Sequence, residues 1–143
     1  EDRYTKRPDV LLFPQESKCI IIEFKNPEVS VSDHLNQINN YATLLRNFTA
    51  PQFKFITFYG YLIGEKINAH DVRAHDADFR NAYHLDYLFR PSKTIAGMFK
   101  NEGEDGNLYT EVLKYSTLLK RAKHRNKIFI ENLTTKTEAV STE

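Results

Sequence analysis

Two runs rich in Val, Leu, Ile and Phe, one on each side of Pro14-Gln15-Glu16-Ser17, open the chain. Apolar flanks around helix breakers and polar residues predict a β-hairpin. A turn centred near Glu16 pairs positions whose numbers sum to about 32, which sets Asp9 opposite Glu23 on one face. With a side-chain period of two, Lys25 joins Glu23 while Ile22 and Phe24 point to the other face. Leu35, Ile38, Tyr41, Ala42, Leu45 and Phe48 then follow helical spacing, with Ser32 or Asp33 as the expected cap. Gln52 to Ile63 reads as a strand apolar on both sides, with Phe53, Phe55, Thr57, Tyr59 and Tyr61 on one face and Ile56, Phe58 and Leu62 on the other. Such a strand is central in its sheet, so Lys18 to Ile63 forms a βαβ unit.

Beyond Gly64 the periodicity weakens. Arg80 to Phe89 is expected to form a fourth strand ending at Arg90-Pro91-Ser92, and Asn101 to Asn107 a loop, either near the hairpin residues or a plain surface connection. Leu108, Val112, Tyr115, Leu119, Ala122, Asn126, Phe129 and Leu133 recur at steps of four and three. That stripe predicts one long final helix, capped by Asn107, with Glu111 early and basic residues late. Residues 134–143 are almost free of apolar side chains and read as a disordered tail or linker.

The chain has 143 residues, 41% of them hydrophobic, which suits one core over residues 1–133. The first residue is not Met, so a fragment of a longer protein is expected. Cys19 is the only cysteine, so no internal disulfide forms, and its apolar strand makes it a small buried side chain. No run approaches the ~20 apolar residues of a membrane span, and no secretory signal opens the chain. A soluble, cytoplasmic protein without membrane partners is expected. Net charge is only +1, so any nucleic-acid surface must be local.

Two carboxylates facing each other on a sheet need a cation between them. Lys25 is one candidate and a divalent ion the other. Magnesium binds through a few carboxylate oxygens and retains waters, which matches Asp9 and Glu23; it would activate a water and stabilise charge on a phosphate, with Lys25 orienting that water. The plainer alternative is a surface ion pair worth about 0–1 kcal/mol. Ala69-His70-Asp71 and Ala74-His75-Asp76 repeat a possible metal-ligand pattern, but five-residue spacing misses helical ligand geometry, so a solvated loop or short helical turn is expected. Lys120, Arg121, Lys123, His124, Arg125 and Lys127 crowd one stretch and form a candidate phosphate-contacting surface, or a solvated helix end.

In this order the residues resemble the PD-(D/E)XK nuclease superfamily. Pro8-Asp9 is similar to its PD element, Glu23-Phe24-Lys25 to its (D/E)XK element, and Gln37-Ile38-Asn39-Asn40-Tyr41 to the Q-x-x-x-Y element of its exonuclease branches. The resemblance covers Arg7 to Phe48 and implies an α/β restriction-endonuclease-like core, a mixed central sheet flanked by helices. It lacks the usual first helix, which supplies a further acidic residue. It also implies magnesium- or manganese-dependent hydrolysis of DNA, with Asp9 and Glu23 on the metal, Lys25 assisting water, and Gln37 and Tyr41 supporting the site. Arg90-Pro91-Ser92 with Tyr109 to Tyr115 and Lys123 to Lys127 is similar to the C-terminal nuclease-like region of some large bacterial antiphage and ATPase-linked proteins. Sibling domains of one parent protein, or a second copy, would then be partners. An inactive nucleic-acid-binding relative and a protein-interaction module remain the alternatives.

Overall fold

The computed structural model describes residues 8–82, 86–98 and 103–141, without the side chains of 129, 130 and 136–141. Six strands form one sheet in the order β1-β2-β3-β6-β5-β4. β1 (Asp9–Phe13), β2 (Lys18–Phe24) and β3 (Thr57–Gly64) come from the first half; β4 (Arg80–Asn81), β5 (Tyr87–Ile95) and β6 (Gly106–Lys114) come from the second. β2, β3 and β6 run parallel at the centre, and β1, β5 and β4 are added antiparallel. Helix α1 (Leu35–Phe48) is the crossover between β2 and β3, as the two-sided apolar pattern required. The mixed sheet with its helices is consistent with the expected restriction-endonuclease-like α/β class.

The hairpin closes differently from its sequence reading. Pro14–Glu16 form one 3-10 turn, and Ser17 enters the left-handed region (φ 55°) and donates its N–H to Pro14 O at 3.2 Å. Ser17 therefore belongs to the turn, the loop has four residues, and Phe13 pairs with Lys18 and Asp9 with Ile22. Cross-strand partners share a face. Asp9 thus lies on the Ile22 side of the sheet and Glu23 on the other, a one-residue shift that separates the two carboxylates.

α1 begins after a 3-10 turn at Val31–His34, and neither Ser32 nor Asp33 caps it. Its seat is Gly60. A Cβ built there would stand 2.5 Å from Ile38 Cγ2, so only glycine lets the helix approach β3 this closely. Val31 does the same over Gly64, 2.4 Å from an added Cβ. Around these contacts Cys19, Ile21, Ile38, Ala42, Phe58, Leu62, Leu108 and Val112 form the core. Cys19 is fully buried, and burial pushes its thiol up to about 12, which leaves it unreactive.

The second half departs furthest from the expected elements. Gly106–Lys114 is a central strand, and α3 starts only at Tyr115 and runs through Ser141. Leu108 and Val112 are four apart, a step that fits both helix and strand; the burial of Thr110 between them marks period two. Asn107 is a strand residue whose N–H bonds Ile56 O, and residues 134–141 continue the helix where a tail was expected. The single expected fourth strand is two, β4 and β5, and β5 runs on through Pro91 by a bulge between Arg90 and Lys93. The short helix α2 (Ala69–His75), capped by Asn68, carries the Ala-His-Asp repeat, in keeping with the helical-turn reading. Asn101 and Glu102, in the expected acidic loop, lie outside the described residues.

Arg90 is buried at core parity on β5 and ties three elements together. Its Nη1 donates to Asp76 at 2.6 Å, Nη2 to Asn39 on α1 at 2.8 Å and to Thr110 on β6 at 3.3 Å. Desolvation raises the Asp76 carboxyl, but the Asp78 N–H, Arg90 and Lys93 outweigh it and hold the group below its ordinary value of 3.8. A depressed carboxylate stabilises the fold above the unfolded-state value and loses that contribution as pH falls through the folded-state value. Urea titrations should therefore show wild type losing stability on acidification below about pH 4 more steeply than Asp76→Asn, which starts lower at neutral pH. Parallel profiles would remove Asp76 from the acid transition.

Candidate metal and phosphodiester site

β2 carries the centre of the site. Cys19, Ile21 and Glu23 alternate into the core face, so the period that buries the aliphatic residues also buries a carboxylate, with 2% of Glu23 exposed. Lys25 follows on the same face with its Cβ close to Gly64, and its Nζ lies 3.2 Å from Glu23 Oε1. The pair is buried on both sides, which rules out the surface ion-pair alternative. Buried pairs hold only when every remaining polar atom is satisfied. Here one is not: Glu23 Oε2 is buried with no hydrogen-bond donor among the described residues.

α1 supplies a second such atom. The helix packs on β2 and β3 with its N-terminal turns toward the C-terminal ends of those strands. Ile38 sits over Gly60, the partner of Ile21, two residues before Glu23. Gln37, its neighbour, is half-buried, and its Oε1 also lacks a donor among the described residues. Tyr41, one turn on, packs against the core. The Glu23, Lys25, Gln37 and Tyr41 positions therefore sit on the covered face of the sheet. Asp9 does not, being exposed at the start of β1 on the other face.

The open Glu23 oxygen beside Lys25 suits a hard cation, which prefers oxygen ligands and retains waters. Among the described residues no cluster of three or more His, Cys, Asp or Glu is placed to hold a metal, so a site here is built from few protein ligands. His70 lies on α2, and His75 pairs loosely with Asp33 at 4.0 Å. Neither belongs to such a cluster.

Residues 1–77 match the family model described as the N terminus of the type I restriction enzyme R protein. The chain belongs to that family. No curated protein and no solved structure matches it. The matched segment contains Asp9, Glu23, Lys25, Gln37 and Tyr41, so the whole candidate site falls in the part of this restriction-enzyme-related domain that carries the family pattern. The basic helix lies beyond it.

On α3, Lys120, Lys123, Arg125 and Lys127 are exposed. Arg121 is not free in the same way: its guanidinium lies 4.4 Å above the Tyr87 ring and 3.8 Å from Glu111. No described helix is long and apolar enough to cross a membrane. The site residue that sequence reasoning missed is Tyr115, counted there in a helical stripe; its hydroxyl donates to the Lys25 carbonyl at 3.1 Å. Arg90 was also passed over, although a lone charge at the parity of Leu88 in an apolar strand signals a buried network.

Removing the Lys25 ammonium leaves Glu23 buried without its cation. Lys25→Met should cost about 3–5 kcal/mol in urea unfolding with chelator present, and adding Glu23→Leu should recover most of it. Additive losses would mean that the two side chains do not act as a buried pair.

Proposed function

We propose that this domain hydrolyses DNA phosphodiester bonds with magnesium. The observation that carries the reading is that Glu23, paired with Lys25, and Gln37 on α1 each keep a buried oxygen without a donor among the described residues. Unsatisfied buried acceptors cost about 1–3 kcal/mol each, so a site that keeps two of them is built for something that fills them. Membership of a restriction-enzyme family and the resemblance to the PD-(D/E)XK pattern point the same way.

In this reading Glu23 and Gln37 would hold the ion, while Asp9, which the resemblance also assigns to it, starts β1. Magnesium, or manganese in its place, supplies charge stabilisation on the scissile phosphate and a more acidic water when bound. Lys25 neutralises one oxygen of Glu23 and presents the remaining N–H donors to an incoming water or phosphate oxygen. Tyr41, one turn after Gln37 on α1, packs against the core and steadies that helix face. The register puts Asp9 on the opposite side of the sheet, so its share is the part of the proposal that mutation decides.

Lys120, Lys123 and Lys127 share one face of α3 at steps of three and four, with Arg125 and His124 flanking. We assign that face to the DNA backbone and leave Arg121 to its packing on Tyr87. As an R-protein N-terminal domain, the chain would meet its other partners among sibling domains and subunits.

Magnesium-dependent cleavage of plasmid and linear DNA should be lost in Glu23→Gln and Lys25→Ala, each checked for folding, and reduced in Asp9→Ala. Equal activity in all four proteins would sink the site, and equal activity in wild type and Asp9→Ala alone would remove Asp9 from it. Replacing Lys120, Lys123 and Lys127 by Ala should weaken DNA binding independently of sequence and lower the salt slope by about 2–3. An unchanged slope would detach α3 from the DNA.

A further inference from the structure

The β2 strand stops at the residue before Lys25. Phe24 pairs with Ile63, and Lys25 N–H still donates to Ile63 O at 2.7 Å, the last bond to β3. The chain then leaves the sheet through a turn closed by Val29 N–H on Asn26 O, with Pro27 inside it. A lysine at a strand end has four rotatable side-chain bonds and a backbone prone to fray. Holding its ammonium 3.2 Å from Glu23 needs an anchored Cα.

Tyr115 supplies the anchor. Its hydroxyl takes the Lys25 carbonyl, and its ring stacks on Phe24 at 6.2 Å between centroids and 14° between planes. One side chain thus grips two of the three residues Glu23-Phe24-Lys25. It reaches them from the first residue of α3, directly after β6, which is separated from β2 by β3, roughly 10 Å across two strand spacings. The base of the grip is itself fixed. Lys114, the residue before, pairs with Gly64, and Ser116, the residue after, gives its N–H and hydroxyl to Glu65 at 3.3 and 3.1 Å. Burial raises the Tyr115 phenol above its ordinary value, so it remains a donor across the working range.

We propose that Tyr115 is a positioning residue for Lys25, holding the lysine carbonyl and the Phe24 ring so that the Lys25 ammonium stays on Glu23. The effect on rate rests on the nuclease reading above; the effect on geometry does not. Tyr115→Phe removes the hydrogen bond and keeps the stack, while Tyr115→Leu removes both.

Amide hydrogen exchange of the folded chain separates the two levels. In Tyr115→Phe, exchange at Lys25 should rise about tenfold, the local protection of about one hydrogen bond, with Ile38 and Leu62 unchanged, and Tyr115→Leu should exceed it. In cleavage assays kcat should fall about tenfold with KM for DNA within about twofold of wild type. Wild-type exchange at Lys25, or a rise shared equally by Ile38 and Leu62, would overturn the inference, as would a loss confined to KM. If wild type itself fails to cleave, the nuclease reading falls, and exchange at Lys25 alone decides the positioning role.

Discussion

The close approach of α1 to β3 over Gly60 governs the rest of the molecule. Ile38 fills the space a Cβ would occupy, which brings the helix down onto the parallel strands and seals the core. Close packing of this kind is unforgiving, since overfilling one position displaces a whole helix. Here the displaced helix would carry Asn39 away from Arg90 and shift the Gln37 face of α1. Core packing and site geometry are therefore one constraint.

The covered face of the sheet concentrates charge that most cores exclude. Glu23, Lys25, Arg46 and Arg90 all lie beneath helices or turns, and each is engaged by a named group: Lys25 by Glu23, Arg90 by Asp76, and Arg46 by the Glu104 carbonyl at 2.7 Å. Arg46 and Arg90 end in structural hydrogen bonds. Glu23 Oε2 and Gln37 Oε1 face no donor among the described residues, just as Arg90 Nε faces no acceptor; Glu23 is the one buried carboxylate among them.

α3 joins two parts of the molecule that the chain order keeps apart. Its first turn is capped by Glu65 and locks Tyr115 onto the end of β2, and its next turns carry the exposed lysines. A surface suited to a phosphate backbone thus starts within a few residues of the anchor of Lys25. Arg121 packs on Tyr87 of β5 and ties the helix back to the sheet.

Much of this was legible in the residues. The hairpin, the α1 crossover, the central β3 and the shared face of Glu23 and Lys25 follow from apolar periodicity and short spacings, because strand and helix geometry fix which neighbours share a face. Cys19 at core parity was equally plain. The register of the hairpin was not, since it turned on whether Ser17 enters the left-handed region, and that one residue moved Asp9 to the other side of the sheet. Nor was β6, because Leu108 and Val112 stand at a step common to both periods and only pairing with β3 and β5 chose the strand. The glycine seats, the Arg90 tie and the grip of Tyr115 on Lys25 join residues far apart in the chain. Local spacing carries no record of such contacts, so the tertiary structure alone decided them.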